Sequence, residues 1–195
     1  QYKRVEMVPL SEQKEDILMK IKTKKLSWAG VQELPRPKHK KPIRPHLLFR
    51  SVVRAASIPD LIATRFSCEK VRMEAAGDGP WLVLMNHSSF IDLEIASKLL
   101  YPRPYNIVCT SDGFVGKEWL MRQIGCIPTQ KFVTDLHLVK DMTYAFKTLK
   151  TSVLMYPEAS YSFDGTATTL PRKMGVLLKK LGVPVVTITT QGAFT

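Results

Sequence analysis

His87 and Asp92 are the residues of this chain whose types and spacing suit proton chemistry most directly. They stand in Asn86-His-Ser-Ser-Phe-Ile-Asp92, immediately after the apolar run Trp81–Met85. Imidazole has the unperturbed pKa nearest neutrality, so it can take a proton from a hydroxyl at cellular pH. A carboxylate bonded to its other ring nitrogen fixes the tautomer and stabilises the imidazolium that forms. On an unbroken helix, residues five apart diverge by about 140° around the axis. The pair converges only if His87 lies in a strand-to-helix turn and Asp92 in the first helical turn. Ser88 and Ser89 are good capping residues, and Ser89 with Asp92 three positions on resembles a capping box with Asp in place of Glu. A plainer reading therefore stands beside the catalytic one: Asp92 caps a helix and His87 is an ordinary loop residue. Spacing alone leaves both open.

The elements that must position this turn alternate. Apolar runs suggest strands near 69–74, 81–86, 105–110, 152–156 and 183–190, with helices near 90–100, 115–124, 135–150 and 171–181. Such alternation predicts an α/β fold, a largely parallel mixed sheet flanked by helices. Ligands of such sheets sit at the carboxyl ends of the strands, and His87 directly follows one.

The 195-residue chain has room for one domain of this kind and an N-terminal extension. Its formal charge is +12, and residues 1–50 hold thirteen Lys and Arg against five Asp and Glu. That excess calls for an anionic partner, a membrane surface or nucleic acid. The aromatics are not interleaved with the basic stretches, and no nucleic-acid motif is visible, so nucleic acid is not expected. Residues 11–28 read as a basic amphipathic helix, with Ile17, Leu18, Ile21 and Trp28 at helical spacing. Pro35, Pro37, Pro42 and Pro45 suggest an extended linker over 34–45. Residues 47–66, broken by Pro59, suit a helix-break-helix at an interface, with arginines reaching for phosphates. The expected division is a membrane-docking segment over 1–66 and a catalytic domain over 67–195. The chain stops just after a strand, so that domain is expected to continue further.

No apolar run is long enough to span a bilayer, and no signal peptide is visible. Cys68, Cys109 and Cys126 are odd in number and lack paired spacing, which fits a reducing compartment. The four histidines have no ligand-spaced neighbours, so no metal site is expected.

Three later segments suit the same strand ends: Gly113-Phe-Val-Gly-Lys117 continuing to Gly125-Cys-Ile-Pro-Thr-Gln-Lys131, then Tyr156-Pro-Glu158-Ala-Ser160-Tyr-Ser162, then Gly182-Val-Pro-Val-Val-Thr-Ile188. Read alone, Glu158 also fits a carboxylate stabilising a turn, and Lys117 and Lys131 fit solvated surface lysines.

Together with His-x4-Asp, and in this order, these motifs resemble the 1-acyl-glycerol-3-phosphate (lysophospholipid) acyltransferase family of glycerolipid acyltransferases. The resemblance covers roughly residues 69–192. It implies that His87 is the general base and Asp92 its orienting partner. It also implies substrate binding by Lys117, Lys131, Glu158, Ser160, Arg172 and Lys173. Lys131 stands where the family usually has arginine, keeping charge but losing bidentate geometry. Ala159 replaces a family glycine and Tyr161 a family arginine, which removes a cation that would grip a phosphate. Arg172 and Lys173, before Gly175, match a basic-x-Gly element and can supply charge instead.

The implied reaction moves a fatty acyl group from a thioester to a lysophospholipid hydroxyl, most directly that of 1-acyl-glycerol-3-phosphate. Acyl-CoA or acyl carrier protein serves as co-substrate, and no other cofactor is expected. No Ser or Cys is flanked as a covalent nucleophile, so attack is expected to be direct. A membrane-binding module without catalysis, or an acyltransferase for a non-phosphate acceptor, are the alternatives. The implied location is peripheral, on the cytoplasmic face of the cell membrane.

Overall fold

A computed structural model describes residues 39–114, 116–129, 136–158, 162, 170–171 and 174–192. The compact unit that contains the sheet begins at Lys40. The helix expected over 11–28 lies outside the described residues.

Two short helices open this unit, α1 over Leu47–Ala56 and α2 over Ile58–Ala63. His46 caps α1, its Nδ1 accepting from Leu48 N at 3.2 Å. Pro59 falls in the first turn of α2, where its missing N–H costs nothing. This is the helix-break-helix that Pro59 implied. Strand β1 (Leu82–Met85) follows, then α3 (Ile91–Leu100), β2 (Tyr105–Thr110), α4 (Glu118–Ile124) and β3 (Cys126–Thr129). Helix α5 (Leu136–Tyr144) runs on into a wider turn at Ala145–Leu149, followed by β4 (Ser152–Met155), α6 (Met174–Leu181) and β5 (Val185–Ile188).

The five strands lie in the order β3-β2-β4-β1-β5, and every ladder is parallel. The fold is α/β, as the alternation implied. Strands β1 and β4 sit inside the sheet and read as short apolar runs because both of their faces are covered. Val83, Met85 and Leu154 pack on one face with Ile95 and Leu100 of α3 and Met121 of α4. Leu82 and Val153 pack on the other with Met142 of α5 and Leu178 of α6. The chain thus leaves β1 and β4, which are neighbours, across opposite faces. This is the topological switch point at which α/β sheets hold ligands.

Two local expectations are corrected. The alternating stretch 69–74 forms no strand; it is irregular and then a 3-10 turn at Met73–Ala76, and Val71 is exposed. Cys126–Thr129, absent from the expected strands, is the edge strand β3. It tolerates Pro128 because an edge strand need not donate on both sides.

The prolines at 42 and 45 are buried, and residues 40–46 form a packed strap, not the extended linker expected there. Proline is apolar surface as well as a chain stiffener. The strap's carbonyls are also taken up: Asn106 Nδ2 donates to Ile43 O at 2.9 Å and Arg122 Nη2 to Lys41 O at 2.9 Å. Asn106 is itself fully buried, bonded to Gly125 O and accepting from Thr151 Oγ1 at 2.6 Å. Gly125, at φ +95°, closes α4; a Cβ there would come within 2.5 Å of Pro45 Cγ. Residues 40–66, assigned from sequence to the N-terminal segment, therefore belong to the same compact unit as the sheet.

Candidate active site

The chain leaves β1 at Met85, turns through Asn86-His87-Ser88-Ser89, and enters α3, whose first turn holds Asp92. Asp92 Oδ2 accepts from Ser88 N at 2.6 Å and Ser89 N at 3.0 Å, and lies 3.0 Å from His87 Nδ1. The two readings of this spacing are one hydrogen-bond set. The carboxylate satisfies the open N–H groups of the turn and, with the same oxygen, engages the imidazole. Asp92 is completely buried, while the His87 side chain keeps 18% of its surface. A carboxylate is acceptor-only, so the contact puts the proton on Nδ1 and the lone pair on Nε2.

Asp92 Oδ1 lies 3.5 Å from Thr190 Oγ1. Thr190 follows β5 and is clamped to Asn86. Its N–H donates to Asn86 Oδ1 at 2.8 Å, and Asn86 Nδ2 donates back to Thr190 O at 3.0 Å. The hydroxyl also lies 3.1 Å from Asn86 Oδ1. The ends of β1 and β5 are thereby locked in register behind the carboxylate. The third wall comes from β4: the Tyr156 ring stacks on His87 with centroids 4.0 Å apart and planes 20° from parallel. Ser162 N donates to His87 O at 2.7 Å, so the loop after β4 is fastened to the histidine's own backbone.

The sequence-derived site residues divide accordingly. His87 and Asp92 are in contact. Glu158 is half-buried two residues beyond Tyr156, and Lys117 is exposed at the start of α4 on the carboxyl-end edge of the sheet. Lys131, Ser160, Arg172 and Lys173, like Ala159 and Tyr161, lie outside the described residues. Asn86, Thr190 and Tyr156 were not singled out from sequence. Asn86 and Tyr156 abut the motifs, but Thr190 is given away only by the β1–β5 pairing.

Beside the site runs a cleft of about 1320 Å³. Phe66, Trp81, Ile91, Ile95 and Leu99 line it, as does Thr190, whose N–H is bonded to Asn86. Burial and then the neighbouring Asp60 hold the Glu94 carboxyl of α3 above its ordinary value. Burial pushes the Tyr105 phenol up to about 12. Cys109 and Cys126, without paired spacing in sequence, face each other across β2 and β3 with sulfurs 3.4 Å apart; the contact and burial push the Cys126 thiol up. Among the described residues no cluster of His, Cys, Asp and Glu could hold a metal.

A family model described as Acyltransferase matches residues 64–191, two thirds of the chain, and spans every element from the end of α2 to Thr190. The chain belongs to the acyltransferase family. Its fold is similar to that of the 1-acyl-sn-glycerophosphate (LPA) acyltransferase PlsC from Thermotoga maritima. The TM-score is 0.52 at 16% identity, over 74% of this chain and 58% of that one, so the chain spans less than two thirds of that protein's length. No curated protein matches it. Within the family region lie the His87–Asp92 turn, the Tyr156 strand end and the Asn86–Thr190 clamp.

Proposed function

We propose that this acyltransferase moves a fatty acyl group from a thioester, acyl-CoA or acyl carrier protein, to the hydroxyl of a lysophospholipid, most directly 1-acyl-glycerol-3-phosphate. The observation that carries the reading is the His87–Asp92 contact at a strand end within the family region. His87 Nε2 takes the acceptor's hydroxyl proton as that oxygen forms a bond to the thioester carbonyl carbon. The tetrahedral intermediate collapses, the C–S bond breaks, and the departing thiolate takes the proton back from the imidazolium. Asp92 orients the ring and stabilises its charged form. The acyl chain lies in the cleft along Ile91, Ile95 and Leu99, which Thr190 also lines. Lys117, Lys131, Arg172 and Lys173 supply positive charge for the acceptor's phosphate, and Glu158 and Ser160 help to hold the acceptor.

The lipid substrate comes from a membrane surface, and residues up to 66 act as the docking segment. Support comes from α1, which buries none of its residues and turns Leu48 and Val52 outward. Ile58 and Ile62 of α2 are exposed too, as is Trp119, which meets Phe49 edge-on at 5.9 Å. Lys40, Lys41 and Arg44 are exposed beside them. Apolar side chains flanked by cations suit an anionic bilayer surface. Among the described residues no helix is long and apolar enough to cross a membrane. A peripheral place on the cytoplasmic face follows from this reading.

The test is release of free thiol from acyl-CoA or acyl carrier protein with a panel of acceptors presented on anionic vesicles. Release that requires a lysophospholipid supports the reading. Release with only non-phosphate alcohols replaces the acceptor, and vesicle binding without turnover on any acceptor overturns the enzymatic reading.

A further inference from the structure

The geometry points to Tyr156 as a positioning residue for the base, its ring setting the plane of the His87 imidazole and stabilising the imidazolium. The inference deepens the function proposed above and rests on it for its kinetic consequences.

The register of the sheet brings the two rings together. Val83 pairs with Leu154 and Leu84 with Met155 across the parallel β1–β4 ladder. Side chains alternate between faces, so Val83 and Met85 share the face of Leu154, and His87 and Tyr156 stand two residues and one residue beyond the ends of these neighbouring strands. The packing agrees: Val83, Met85, Leu154 and Tyr156 meet in the cluster on the α3 side. Tyr156 is thus rooted in the core at its base and lies against His87 at 4.0 Å and 20°.

The contact supplies what the Asp92 bond lacks. The hydrogen bond at Nδ1 acts in the plane of the imidazole and does little against tilting of the ring out of that plane. A stacked ring at 4.0 Å resists that tilt, so Nε2 keeps its direction. An aromatic face also attracts a cation, and the imidazole is a cation only after it has taken the acceptor's proton. The stabilisation therefore appears as the reaction proceeds and is small in the resting enzyme, which is the condition for lowering a barrier. Among the described residues, the ionisable groups that meet the ring include Asp92 from α3 and Tyr156 from the end of β4. Asp92 meets its edge at Nδ1, and Tyr156 covers a face.

Tyr156→Phe keeps the ring and Tyr156→Leu removes it. Relative to wild type, the Leu variant is expected to lose kcat by about ten- to a hundredfold, the scale of a small misplacement at a reacting centre, with the thioester KM within about twofold. The acid limb of its kcat/KM profile moves to lower pH by about half a unit, because the imidazolium loses a stabilising neighbour. The Phe variant retains both rate and profile. Nuclear magnetic resonance of the imidazole carbons and their protons supplies a readout independent of turnover. His87 is one of four histidines, and its ring protons should lose their upfield ring-current shift in the Leu variant and keep it in the Phe variant.

A Leu variant with wild-type kcat and an unmoved acid limb overturns the inference. So does a Phe variant as impaired as the Leu variant. Ring-current shifts that behave as expected in an enzyme whose turnover survives His87→Ala refute the general-base assignment, not the stack.

Discussion

Substituting Asp92 by Asn tests the joint role of this carboxylate, because the change keeps shape and removes charge. Three nitrogens converge on Oδ2, those of Ser88, Ser89 and His87, and Thr190 Oγ1 stands by Oδ1. An Asn amide can keep this pattern in one orientation only. Its oxygen must take the place of Oδ2, and its NH₂ must then face Thr190 Oγ1, which can accept. A hydrogen bond to an ionised group contributes about 1.5–3 kcal/mol. Losing that charge opposite the imidazolium should slow acyl transfer by roughly 10- to 150-fold. Stability should fall little, with Tm lower by about 2–4 °C. The Ala variant is the contrast: it strands the Ser88 and Ser89 N–H groups at about 1–3 kcal/mol each and should lower Tm well beyond the Asn variant. Thiol release gives kcat and thermal unfolding gives Tm. An Asn variant that turns over within about threefold of wild type would refute the charge argument. An Asn variant as unstable as the Ala variant would show Asp92 to be a cap alone.

Thr190→Val removes the hydroxyl from Asp92 and Asn86 and leaves the backbone clamp; kcat should drop about 2- to 10-fold, and Thr190→Ser should restore it, as read by the same assay. Gly125→Ala should destabilise the fold by about 1–3 kcal/mol in denaturant titration, since its Cβ would meet Pro45 at 2.5 Å on a backbone with φ +95°; wild-type stability would mean that the strap is not packed. The Glu94 carboxyl is held above its ordinary value by burial and by Asp60, so the folded state keeps its proton longer than the unfolded chain as pH rises. Stability therefore falls as pH rises through that window, and the ionised form carries the cost above it. Glu94→Gln should raise Tm at pH 7.5, with the gain gone at about pH 4, below the ordinary carboxylate value; a gain independent of pH would contradict this.

The His87–Asp92 turn was legible because its evidence is local: an apolar run, a histidine just beyond it, and a carboxylate at the reach of one turn. The strands β1, β2 and β4 were legible as apolar runs for a related reason, since strands covered on two faces leave little room for polar residues. What failed was non-local. Glu69–Glu74 alternates apolar and charged residues as a strand would, yet no strand among the described residues pairs with it, and Val71 stays in solvent. Cys126–Thr129 is only four residues long and contains proline, so its strand character comes entirely from its ladder with β2. Pro42 and Pro45 carry the composition of a linker, but Asn106, Gly125 and Arg122, distant in sequence, make a seat for them. Thr190 and Tyr156 reach the site through strand register. In both cases the residue type permits the role and the pairing assigns it.

Removal of the acceptor's proton by His87 is tested by single-turnover acyl transfer from radiolabelled acyl-CoA or acyl carrier protein to a lysophospholipid by His87→Ala, with folding verified by thermal unfolding. A loss of at least about 10²-fold is expected, the contribution of a positioned base, with thioester binding retained. Acyl transfer within a few-fold of wild type by the folded variant would contradict it.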